Sequence, residues 1–391
     1  MATGDIGSGP GSCNDGSVKS DLQERPEVSA NDLAVPEELS RRRLRSRLLF
    51  ALGLVVVVVL VVTLLPGLGS LRSRLTHAKP AWLALGIALK LLSGLGYVVV
   101  FRMIFCRRMS WRVSYQIGMS ELGANALLPT GGAGGLALGA WALKRGGMAG
   151  AEIAKRTVAF FLLTSVPNVV GVILLGLALA VGLLGGESNL LLTALPAAVA
   201  VLAVLGALLA GRLAGRLGAS PGSDASTEAS RRKRAIRSGL SAFAEGVQEA
   251  LKLLREGNLL LVLGLLAYLV FDVLILWAGF HALGAAPPLA ILALAYLIGE
   301  LGGLIPVPGG IGGVDAGLVG TLALYHVSLT SAAGAVLAYR AIALWVPAVA
   351  GGGAFVALRR TLRNEAEAVA VCAPQGEMEV IGLGRVVVRS K

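Results

Sequence analysis

Long apolar runs with almost no charge constrain this chain more than any other feature. Leu48–Leu68, Trp82–Phe105, Lys155–Leu183, Leu190–Ala210, Leu259–Leu283 and Ala333–Leu358 are mostly apolar over their whole length. Each reaches the ~20 residues that cross a ~30 Å hydrocarbon core. In lipid every backbone N–H and C=O must find a partner within the protein, so runs of this kind fold as helices. Composition agrees: 55% of the 391 residues are hydrophobic, 15% are charged, and mean hydropathy is +0.76. A soluble domain carries about 25% charged residues. An ordinary soluble enzyme and disorder over most of the length are both excluded. The expected fold is all-α, a polytopic bundle of membrane helices.

Charge sets the expected topology. The net charge is +12. Of the basic residues, Arg72, Arg74 and Lys79 fall on outer segments, while Lys90 and Arg340 fall inside spans. The others lie at inner helix ends or on cytoplasmic segments, as the positive-inside rule requires. That bias accounts for the basic balance through anionic inner-leaflet lipid, without nucleic acid. Residues 1–47 read as a disordered cytoplasmic tail ending in Arg41, Arg42, Arg43, Arg45 and Arg47. The first apolar run begins too late and runs too long for a cleaved signal peptide, and reads as a retained anchor. Residues 48–210 form the first membrane half and 259–358 the second. Between them, 211–258 is a basic cytoplasmic loop in which Ile236, Leu240, Phe243, Val247, Leu251 and Leu254 recur at spacings of three and four. That is the apolar face of a helix lying on the inner surface. Residues 359–391 form a cytoplasmic tail with a strand at Glu379–Val388. A multi-pass protein of the cytoplasmic (plasma) membrane follows, with both termini inside.

Two further apolar stretches are broken. Val113–Leu143 is interrupted at Leu128-Pro129-Thr130-Gly131-Gly132-Ala133-Gly134-Gly135, and Pro288–Tyr325 at Ile305-Pro306-Val307-Pro308-Gly309-Gly310-Ile311-Gly312-Gly313. Each half is too short to cross a bilayer, so each stretch is expected to enter and leave on one side as a re-entrant hairpin. The first is flanked by Arg112, Lys144 and Arg145; the second has no basic flank. The two also resemble each other: Glu121-Leu122-Gly123 precedes the first break and Glu300-Leu301-Gly302 the second. Ala149–Arg156 matches Ala333–Arg340 at five of eight positions, and each Arg is followed by a crossing with a proline, Pro167 and Pro347. The chain therefore holds six full crossings and two hairpins in an inverted repeat. In transporters such paired broken helices place the substrate site near the midplane between repeats. Scattered glycines such as Gly171, Gly176 and Gly264 read as packing residues.

Ionisable side chains in apolar segments are costly and mark candidate sites. They are Lys90, Glu121, Arg156, Asp272, Glu300, Asp315 and Arg340. Arg340 and Arg156 would attract a lipid phosphate, while Glu300, Asp315 and Glu121 would hold counter-charge or take protons; structural ion pairing is the competing reading. Arg156 and Lys90, near span ends, are expected to snorkel, and Asp272 has no assignable partner. The candidate substrate-binding set is Glu121, Asn125, Pro129, Gly131, Gly132, Gly134, Gly135, Arg156, Glu300, Pro306, Pro308, Gly309, Gly310, Gly312, Asp315 and Arg340. Half-helix N-termini at the breaks would suit an anionic headgroup.

Enzyme chemistry is not expected. GxSxG, P-loop and HExxH patterns are absent and His77, His281 and His326 are scattered, so no cofactor or metal is implied. Cys13, Cys106 and Cys372 are odd in number and widely spaced, which reads as unpaired thiols.

Pro306-Val307-Pro308-Gly309-Gly310-Ile311-Gly312-Gly313-Val314-Asp315, followed by Arg340, resembles the signature of the transmembrane region of lysylphosphatidylglycerol synthases. Asn125–Pro129 through Gly134-Gly135 resembles its N-terminal motif, and the likeness covers roughly Arg45–Leu362. The resemblance implies translocation of lipid between leaflets, with anionic membrane lipid as partner. This chain has Asp315 where the family usually has Glu, and the C-terminal aminoacyl-transferase domain of the full synthases is not present in it. Lysine transfer from tRNA is therefore not expected. A flippase is the leading expectation. The alternatives are the membrane subunit of a lipid-modifying or glycosyl-transfer enzyme, with a soluble partner on the 211–258 loop, and a non-transporting scaffold.

Overall fold

The computed structural model describes residues 76–128, 133–180, 228–284, 286–302 and 312–364. It also describes residue 73, four isolated helical positions between 198 and 209, residue 372, and the strand residues 378–381 and 385–388. The expected crossings Leu48–Leu68 and Leu190–Ala210 lie outside the described residues, those isolated positions apart. So do Pro129, Gly131, Gly132, Pro306, Pro308, Gly309 and Gly310.

Among the described residues the helices are α1 Pro80–Phe105, α2 Trp111–Leu127, α3 Ala133–Arg145, α4 Gly150–Ala180, α5 Glu228–Arg255, α6 Leu259–Leu283, α7 Leu289–Gly302, α8 Gly313–Leu324 and α9 Leu329–Asn364. Four of these, α1, α4, α6 and α9, are long and apolar enough to cross a membrane. At 1.5 Å per residue, the 26-residue α1 is about 39 Å long and the 12-residue α8 only about 18 Å. Helices α2 with α3 and α7 with α8 thus form the two short-helix pairs expected at the breaks. Local signals set the ends. Pro80 opens α1, Ser110 caps α2 by accepting from Val113 N–H at 3.3 Å, and Asn258 caps α6 by accepting from Leu260 and Leu261. The tail strand is a hairpin, Met378–Ile381 antiparallel to Arg385–Val388.

The repeat is inverted in space. Helices α1 and α6 are equivalent, each being the crossing that precedes a hairpin, and they pack antiparallel along their whole length. Lys79 N–H donates to Ala282 O, Trp82 stacks on His281, Lys90 meets Asp272, and Gly96 meets Gly264. Small residues permit the approach: a methyl group on Gly96 would lie 2.9 Å from the Gly264 carbonyl oxygen. The other contacts come in matching pairs. Helix α2 packs on α9 where Gly123 meets Gly351; α7 packs on α4 where Leu297 meets Gly171. Gly171 and Gly351 each sit four residues after a helix proline, Pro167 or Pro347.

Two apolar cores result. One gathers Phe101, Phe105, Met109, Ile117, Trp141, Leu143, Ile153, Leu358 and Leu362 around the first hairpin. This is the basic end of the bundle, carrying Arg107, Arg108, Lys144, Arg145, Arg359 and Arg360. The other gathers Leu89, Ile275, Leu276, Leu292, Leu318, Leu322 and Val336 around the second hairpin, at the opposite end.

Three expectations change. Cys106 and Cys372 are joined in a disulfide rather than unpaired, because the chain beyond α9 returns to the end of α1. Helix α5 is not only a surface helix: Ala244, Val247, Ala250 and Leu253 are buried, and Gly246 sits on Val158 of α4. Leu251 and Leu254, expected on the same face as Val247, stay exposed beside Lys252 and Arg255. Helix α4 also begins before the expected Lys155, at Gly150, and α9 runs beyond both ends of the expected Ala333–Leu358.

Candidate functional site

Between the two apolar cores lies a layer of polar side chains. Lys90, mid-helix on α1, donates to both carboxylate oxygens of Asp272 on α6, at 2.8 and 2.9 Å. Tyr296 of α7 donates to Asp272 Oδ2 at 3.3 Å. Glu300, one turn on from Tyr296, lies within electrostatic reach of Asp272, Arg340 and Lys90. Arg340 of α9 pairs through Nε with Asp315 Oδ1 of α8 at 2.6 Å. Asp315 Oδ2 accepts from the N–H of Gly312 at 2.8 Å and so closes the start of α8. Gly312 has φ of +89°, where a side chain would be strained.

The first hairpin holds a second polar set. Glu121 is 1% exposed. Its Oε2 accepts from Tyr97 of α1 at 2.8 Å, and its Oε1 lies against Gly139 of α3. Asn125 Oδ1 accepts from Gly135 N–H at 2.8 Å, pinning α2 to α3 across the break. Gly135 and Gly139 have repeat counterparts in Gly313 and Gly317, which bring α8 against Gly302 and Gly299 of α7. The described glycines of the two clusters therefore close the hairpins. The two sets touch through Tyr97 and Tyr268, whose rings lie 5.5 Å apart, and Ser93 donates to Tyr268 O at 3.3 Å.

Of the sequence-derived candidates, the structure joins Glu300, Asp315, Gly312 and Arg340 on one side, and Glu121, Asn125 and Gly135 on the other. Gly134 is buried at the start of α3. Arg156 stands apart: it pairs with Glu152 at 2.5 Å and donates to the carbonyls of Ile104 and Phe105. It closes the C-terminus of α1 instead of snorkelling, because the last carbonyls of a helix need donors. Sequence reasoning passed over Tyr97, Tyr268 and Tyr296, and it left Lys90 and Asp272, both named as charges in apolar segments, out of the binding set. Lys90 is 7% exposed and paired, not snorkelling, and it is the partner Asp272 lacked. Opposite charges at mid-span on two equivalent crossings were the available signal. Among the described residues no group of three His, Cys, Asp or Glu is placed to hold a metal.

The model of the lysylphosphatidylglycerol synthase TM region matches residues 50–351. The chain belongs to this family. The match to the lysylphosphatidylglycerol synthase TM region covers both broken stretches and both halves of the polar layer. No curated protein and no solved structure matches the chain.

Proposed function

We propose that this member of the lysylphosphatidylglycerol synthase TM-region family is a lipid flippase. It would move an anionic or lipid-linked substrate between the leaflets of the cytoplasmic membrane by rocking one inverted repeat against the other. The observation that carries the reading is the charged layer joining the repeats. Lys90 belongs to the first and Asp272, Glu300, Asp315 and Arg340 to the second, and all lie between two apolar cores. Charge inside a membrane protein is costly and commonly marks a substrate or ion path. A phosphate headgroup entering this layer would find Arg340 and Lys90 as cations, for which it would compete with Asp315 and Asp272. The termini and the basic end face the cytoplasm in this reading, since Lys and Arg concentrate there.

The test is reconstitution in liposomes carrying headgroup- or chain-labelled phospholipids. Protein-dependent movement that favours anionic lipid, and is lost in Arg340→Ala and Glu300→Ala, supports the proposal. Absence of movement for every anionic lipid, or full activity in both variants, overturns it.

A further inference from the structure

We infer that Cys106 and Cys372 form a reversible thiol-oxidation site that seats the C-terminal tail on the basic end of the bundle and restrains the two repeats. Its effect on transport rests on the flippase reading; its chemistry does not.

The two cysteines stand where the repeats meet. Cys106 ends α1, the crossing that opens the first repeat, and is 7% exposed. Cys372 lies eight residues beyond Asn364, the end of α9, which closes the second repeat. Cys372 also packs against the apolar core around Phe105, Met109, Leu358 and Leu362. Oxidation therefore ties Cys372 to the end of α1 and limits the separation of the ends of α9 and α1 to a tether of about 28 Å at full extension. The place is already a junction: Arg107 next to Cys106 pairs with Glu256 at 3.2 Å, and Arg156 reaches the last carbonyls of α1.

The basic end is the cytoplasmic end by charge, and the cytosol keeps thiols reduced, so a disulfide there is typically transient or redox-sensing. With hydrogen peroxide as oxidant, the chemistry balances. The more accessible Cys372 thiolate attacks the O–O bond, forms a sulfenic acid and expels hydroxide, which leaves as water. The Cys106 thiolate then attacks that sulfur, forms the S–S bond and releases a second water. Two thiols are oxidised and one peroxide is reduced. A dithiol reductant reverses the change by thiol–disulfide exchange.

The test uses the full chain with Cys13→Ser, in the membranes of intact cells. Acid quenching and a polyethylene-glycol maleimide then report free thiols as gel shifts. Two adducts are expected before peroxide, none after it, and two again after dithiothreitol. Cys372→Ser should keep one adduct throughout. Amide exchange in the last turns of α9 should slow on oxidation. Thiols that stay reactive under peroxide, or a bond present in untreated cells and resistant to dithiothreitol, overturn the proposal. In liposomes, lipid movement should fall on oxidation and stay unchanged in Cys106→Ser/Cys372→Ser. Equal movement in both redox states removes the restraint and leaves the flippase reading standing. Redox-dependent adducts and exchange without any lipid movement leave the oxidation site standing and remove the flippase reading.

Discussion

Lys90 and Asp272 face each other at 2.8 Å in the middle of two antiparallel crossings, with side chains only 8% and 6% exposed. Removing one partner from such a pair strands the other charge, which costs about 3 to 5 kcal/mol, whereas replacing both with apolar residues is often neutral. Lys90→Met and Asp272→Leu are each expected to lower thermal stability in detergent sharply. The double variant is expected to recover most of the loss. Additive losses in the double variant would show that the pair does not join α1 to α6.

Gly139 tests the first hairpin. Its Cα lies so close to Glu121 Oε1 that an added methyl group would occupy the carboxylate's place. Gly139→Ala should displace Glu121 from Tyr97 and cost about 1 to 3 kcal/mol, the usual range for overpacking. Gly320→Ala on α8, where a methyl group meets nothing within 4 Å, is the control and should leave stability unchanged. Equal melting temperatures for the two variants would contradict the close approach of α2 and α3.

These residues also show what the sequence makes legible. The helices, the two breaks and the inversion all follow from apolar run length, Gly and Pro clusters and the flanking Arg and Lys, because lipid allows few alternatives to a helix. The pairing of Arg340 with Asp315 required knowledge of which helices adjoin, and so did that of Lys90 with Asp272. Side-chain partners 25 and 182 residues apart leave no local pattern. Arg156 shows the same limit. Its repeat equivalence to Arg340 is visible, but Glu152 stands where the other repeat has Val336, so the two arginines take different partners. The Cys106–Cys372 bond was hidden because the tail's return to α1 is a tertiary fact.

Topology is open to direct labelling. Gly146 follows α3 at the basic end, and Ala286 precedes α7 at the opposite end. With Cys13, Cys106 and Cys372 replaced by Ser, Ala286→Cys should react with an impermeant maleimide on whole cells, and Gly146→Cys only after lysis. The reverse pattern would place the basic end outside. Labelling of both sites from one side would contradict the inversion seen in the packing of α1 on α6.

Arg340 and Asp315 give the sharpest functional test, because the flippase reading makes the carboxylate a competitor of the substrate. Asp315 holds Arg340 Nε at 2.6 Å and also accepts from Gly312 N–H. Asp315→Asn keeps an oxygen for the Gly312 amide but removes a negative charge beside the guanidinium. An anionic headgroup should then half-saturate transport at a lower mole fraction in the vesicle, with a slower maximal rate if release depends on the carboxylate. Arg340→Gln should do the opposite: the preference for anionic over zwitterionic lipid collapses while the protein stays folded by thermal melting. Measuring half-saturation and maximal rate separately distinguishes these outcomes from a loss of stability, which would lower the active fraction without moving half-saturation. If neither variant alters headgroup preference, the pair serves to hold α8 against α9, and the anion site lies elsewhere in the layer.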